Sequence, residues 1–109
     1  MSSVHGVVVL ADQRYEAPLI QAIQSRSDVL AIVRRCADLA EVVAAARAGL
    51  ADLAVIDGSD PDLTIETVES LRACGRVVVA LAAHHDRSRL IALGVASVAA
   101  PGSPDQVVN

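Results

Sequence analysis

No lysine occurs among the 109 residues, and all nine basic residues are arginine. Schiff-base chemistry on lysine, a P-loop lysine and a lysine grip on a phosphoryl group are thereby excluded. Tryptophan and phenylalanine are absent too, and Tyr15 is the single aromatic residue, so the core must come from Val, Leu, Ile and Ala. The two cysteines, Cys36 and Cys74, have no CxxC spacing and no further partners, which rules out a zinc site or a disulfide framework. The opening MSSVHG lacks the basic-then-apolar layout of a signal peptide. No apolar run approaches the roughly 18 residues that span a bilayer, so direct membrane insertion is not expected. A cytoplasmic domain is the expectation. Thirteen acidic residues outnumber the basic ones and give a net charge of -4, which argues against a nucleic-acid surface.

What is present is strongly apolar, at 53% hydrophobic against 20% charged residues, which excludes intrinsic disorder. Residues 7–10 are continuously apolar and β-branched, the pattern of a strand covered on both faces. Residues 15–25 read as a helix with Leu19, Ile20 and Ile23 on one side, and residues 29–33 as a second, shorter strand bounded by Asp28 and Arg34. Asp38, with Glu41 three places on, has the form of a capping box. It opens a helix striped by Leu39, Val42, Val43 and Ala46 and closed at Gly49. Residues 53–56 form a third strand that runs into the loop Asp57-Gly58-Ser59-Asp60-Pro61. A helix over 64–73, buried through Ile65, Val68 and Leu71, ends at Gly75. A strand at 77–81, a short helix at 86–93 and a last strand at 96–99 complete the order βαβαβαβαβ.

That order predicts a doubly wound, five-stranded parallel sheet in a three-layer α/β/α, flavodoxin-like architecture. Residues 1–109 make one domain in which the fifth helix is absent or truncated, and the chain is expected to be the amino-terminal part of a longer protein. Sites in such sheets form where loops converge at the carboxyl ends of the strands. Asp12 ends the first strand and Asp57 the third, and these strands are expected to be neighbours. Two converging carboxylates suit Mg²⁺, and an aspartate beside that ion can attack a phosphoryl donor. Aspartate is equally common at strand ends and helix caps for conformational reasons alone. Arg14, Asp60 and His84 fall at the edge of this place. Adjacent histidines such as His84-His85, with no matched third ligand, are more often surface residues than metal ligands. The first strand runs into Val9-Leu10-Ala11-Asp12-Gln13-Arg14 rather than GxGxxG, which argues against a dinucleotide site. Arg34-Arg35 reads as a solvated strand end.

Four segments, VVVLAD (7–12), AVIDGSDP (54–61), VVVALAA (77–83) and GVASVAAP (94–101), resemble the landmark segments of the response-regulator receiver domain, the CheY-like family. The resemblance implies that Asp57 holds the phosphoacceptor position, that Asp12 is one of the Mg²⁺-binding acids, and that Pro61 and Pro101 are the family's loop prolines. It also marks departures. Ala11 stands at the other acidic position, Leu81 or Ala82 at the switch hydroxyl, Val98 at the switch aromatic and Ala100 at the phosphoryl-pairing lysine. A receiver so altered is expected to be a noncatalytic pseudo-receiver with no cofactor, exposing an apolar patch on its fourth-helix, fifth-strand side. Such a module would serve protein interaction or homodimerisation. The alternative is a phosphoacceptor receiver of a two-component response regulator, which requires Mg²⁺. The alanine- and arginine-rich stretch at 32–58 further resembles actinobacterial proteins that carry a degenerate receiver before a MinD/ParA-type ATPase. These are the CpaE/TadZ-like pilus-assembly and septum-site-determining proteins. That likeness implies a domain that localises or regulates the attached ATPase, with recruitment to septum or pole through partners.

Overall fold

The computed structural model describes residues 5–11, 13–82 and 86–99, and of residues 13–15 the backbone alone. Five strands, β1 (His5–Leu10), β2 (Leu30–Arg35), β3 (Leu53–Asp57), β4 (Val77–Leu81) and β5 (Ser97–Ala99), alternate with four helices. The helices are α1 (Gln13–Gln24), α2 (Leu39–Arg47), α3 (Ile65–Ala73) and α4 (Arg87–Leu93). The strands form one parallel sheet in the order β2-β1-β3-β4-β5. This is the expected doubly wound architecture, with four helices among the described residues. The expectation about a fifth helix, and with it Pro101, falls on residues 100–109, outside those described.

The continuous apolar runs are explained by burial on both faces of the sheet. Val8, Leu10, Ala54, Ile56, Val78 and Ala80 point to the side covered by α2, α3 and α4. Val7, Val9, Val55, Val79 and Leu81 point to the other side, where α1 contributes Leu19 and Ile23, both fully buried. Each such aliphatic side chain contributes roughly 1.5–3 kcal/mol on leaving water. Alanines at 45 and 46 are buried on the inner side of α2.

Helix ends follow the local chemistry read from the chain. The Glu41 amide donates to Asp38 Oδ1 at 2.9 Å, and the Ala37 amide donates to Glu41 Oε2 at 3.2 Å. This is a capping box shifted by one residue, because the glutamate reaches the amide before the cap instead of the cap's own. Thr64 caps α3 by accepting from the Thr67 amide at 3.3 Å. Helices α2, α3 and α4 run out into Gly49, Gly75 and Gly94, all at positive φ.

Three expectations need correction. Ile65 is 48% exposed rather than buried, because it is the first residue of α3 and only Val68 and Leu71 turn onto the sheet. In α2, Ala45 is buried where Val43 was expected to be, and Val43 packs at the margin. Strand β2 does not stop at 33: it continues through Arg34 and Arg35, which pair with Val8 and Val9 after a bulge opposite Val7/Val8. Charged residues are tolerated there because β2 is an edge strand and none of its six residues is fully buried. Arg35 reaches Glu16 of α1 at 3.5 Å.

Candidate functional site

The register Leu10↔Ile56 sets the carboxyl ends of β1 and β3 side by side, as a site between Asp12 and Asp57 requires. Asp57 is the last residue of β3 and is half-buried. Its Oδ1 accepts from the Ser59 amide at 2.9 Å and from Ser59 Oγ at 2.7 Å. The turn is continued by the Asp60 amide donating to the Asp57 carbonyl at 3.2 Å, and by Asp60 Oδ1 accepting from the Asp62 amide at 2.9 Å. Two successive aspartates therefore spend their side chains on turns of their own loop, as short acceptor side chains do.

Gly58 sits where nothing larger fits. A Cβ added there would lie 2.8 Å from Leu90 Cδ1, 2.9 Å from the Leu81 carbonyl oxygen and 3.1 Å from Ala82 Cβ. Its amide donates to the Leu81 carbonyl at 2.8 Å, and its own carbonyl accepts from Arg89 Nη2 at 3.1 Å. The loop after Asp57 is thus bonded on one side to the end of β4 and on the other to α4.

Of the other positions singled out in the sequence, Ala11 follows β1 and packs at the margin of the α1-side core. Leu81 and Ala82 are buried, at 4% and 8% exposure, and close the end of β4 with apolar groups. Val98 lies in mid-β5 opposite Ala80 and packs toward the α2–α3–α4 side. Asp12, His84, Ala100 and the side chain of Arg14 lie outside the described residues. Among the described residues no group of three or more His, Cys, Asp or Glu side chains is placed to hold a metal ion. The donors described at this edge, Asp57 and Asp60, do not by themselves make a Mg²⁺ site. On the α4–β5 side, where an apolar patch was expected, the exposed large apolar residue among the described residues is Ile91, 44% exposed, while Leu90 is buried and Leu93 and Val98 pack on the core. No described helix is long and apolar enough to cross a membrane.

Ser59 and Arg89 were not singled out by the sequence reading. The Asp-x-Ser spacing of a side-chain turn signals the first. Nothing local signals the second, whose bond to Gly58 crosses 31 residues.

No protein-family profile matches the sequence, and no curated protein matches it. Solved structures do. The signal receiver domain of NarL from Mycobacterium tuberculosis superposes with a TM-score of 0.75 at 18% identity, over 97% of this chain and 94% of that one. The response regulator domain of Thermotoga maritima CheB gives 0.72 at 17% identity, over 96% and 91%. The chemotaxis protein CheY4 of Vibrio cholerae gives 0.70 at 15% identity, over 97% of each chain. The chain has the receiver fold. Within that fold the carboxyl end of β3 is the edge on which Asp57 and its loop stand, next to the apolar end of β4.

Proposed function

We propose that the chain is a receiver-type regulatory domain that signals by protein contact and has no enzymatic activity of its own. The observation that carries this reading is the closed end of β4. Leu81 and Ala82 offer no hydroxyl to a phosphoryl group on Asp57, and the Gly58 amide, a donor next to Asp57, is already spent on the Leu81 carbonyl. With no lysine anywhere in the chain, a phosphoryl group would also lack that counter-charge. The test is to incubate the domain with acetyl phosphate and Mg²⁺ and to measure its intact mass. The expected outcome is no stable adduct. An adduct that disappears in Asp57→Ala would replace this reading with that of a phosphoacceptor. That second reading draws on Asp57 itself, half-exposed at the carboxyl end of β3, in a fold shared with signal receiver domains.

We further propose that the partner is an attached MinD/ParA-type ATPase, on the strength of the resemblance of residues 32–58. The intact mass and peptide sequence of the native gene product test this. An ATPase following Asn109 supports a localising or regulating role in septum-site determination or pilus assembly. A DNA-binding domain there would favour the two-component reading instead.

A further inference from the structure

The receiver-type reading leaves open how the Asp57 loop is connected to the rest of the molecule when hydroxyl and aromatic groups are missing from Leu81, Ala82 and Val98. Both polar groups of Gly58 answer this. Its amide is bonded to β4 and its carbonyl to the Arg89 guanidinium, while its Cα lies against Leu90 and Ala82 so closely that no side chain fits. One residue earlier, the Asp57 carboxylate holds Ser59. The residue between Asp57 and Ser59 is therefore bonded to both β4 and α4.

Arg89 is placed between two acceptors. Its Nη2 donates to the Gly58 carbonyl at 3.1 Å, whereas its Nε stands 3.6 Å from Asp86 Oδ1, at the start of its own helix. The first contact joins the helix to the loop; the second stays within the helix. The next residues on the same turn are Leu90, buried against Gly58, and Ile91, the exposed apolar residue of α4. We infer that Arg89 is the positioning residue that couples the Asp57–Ser59 turn to α4, so that the state of the loop is read at the Ile91 surface. The inference rests on reading Asp57 as the signalling position, and it holds whether the signal there is a contact or a phosphoryl group.

The experiment is a double substitution followed by amide chemical shifts. Asp57→Asn in the otherwise natural chain is expected to shift amides of the 57–60 turn and also those of Arg87–Leu93. In an Arg89→Ala background the same Asp57→Asn change is expected to shift the turn alone, and Arg89→Lys should restore part of the α4 response. Amides of the turn should also exchange about fivefold faster in Arg89→Ala, the scale set by one hydrogen bond. A merely structural arginine would alter stability without altering how far the Asp57→Asn shifts spread. An α4 response that persists in Arg89→Ala overturns the inference, as does an absent response in the natural chain. Neither result bears on whether Asp57 takes a phosphoryl group, which the mass measurement decides separately.

Discussion

Two aspartates flank one strand and are used in opposite ways. Asp52 stands just before β3, and all its partners are distant in sequence. Its Oδ2 accepts from the Gly6 amide at 3.1 Å and lies 3.6 Å from His5 Nδ1, and its Oδ1 lies 3.7 Å from Arg76 Nη1. Arg76 in turn donates from Nε to the Ala46 carbonyl at 3.3 Å. One carboxylate thus ties the start of β1 to Arg76, just before β4, and through Arg76 to the last turn of α2. Asp57, at the other end of the same strand, bonds only its own turn through Ser59 among the contacts described. Long-range partners make a side chain part of the framework. Local partners leave it able to exchange them without unravelling the fold, which is what a signalling position needs.

The strongest way to break the comparison is at Gly58, where the carboxyl edge is itself framework. Gly58→Ala puts a methyl within 3 Å of Leu90 and the Leu81 carbonyl, both anchored in the core. The expected loss is about 2 kcal/mol, within the range for overpacking, read as a lowered midpoint in urea unfolding. A variant as stable as the natural protein would show that the loop can lift from β4 at no cost, and would remove the rigid bridge on which coupling to α4 depends.

A smaller effect separates the two aspartates directly. Asp52→Ala is expected to lose about 1 kcal/mol, the scale of one net hydrogen bond plus half-exposed ion pairs. Asp57→Ala removes two bonds, but both go to the exposed Ser59 of its own turn, where water can replace them, so the expected loss is smaller, about 0.5 kcal/mol. Paired urea titrations at neutral pH check both. Equal losses would mean that Asp57 is as much a structural anchor as Asp52.

The same division explains what was legible in the sequence. Caps, glycine stops and the strand-helix alternation depend on neighbours a few residues apart, so Asp38–Glu41, the glycine stops and the element order could be read directly, whereas Thr64 was placed inside α3 although it is the cap. The place of Asp57 followed from chain order, because a parallel sheet puts strand ends on one edge. Contacts spanning 31 to 46 residues, such as Arg89 to Gly58 and Asp52 to Gly6, have no periodic signature. The exposure of Ile65 was misread for a related reason. Spacing gives the period of a helix but not where along it the sheet begins to cover a face. At β2, a charged pair signalled the end of a strand only because an edge position was not anticipated.

Cys36 sharpens the comparison at the carboxyl edge itself, where polar groups of the Asp57 turn are wet and this thiol is not. It follows β2, its amide donating to the Val9 carbonyl at 2.7 Å, and it is 8% exposed in the core beneath α2. Burial raises its pKa, the nearby Glu41 and Asp38 carboxylates raise it further, and Arg34 opposes them. The folded protein therefore keeps the proton to higher pH than the unfolded chain does. Its contribution to stability is complete below the ordinary thiol range and is lost as pH rises through the raised value. Stability should decline on the alkaline side, and Cys36→Ala should flatten that decline. At pH 8, iodoacetamide should modify the partly exposed Cys74 while Cys36 stays unmodified until the protein is unfolded. Peptide mapping reads the difference, and equal labelling of the two thiols in the folded protein would mean that the edge beneath α2 opens as readily as the surface.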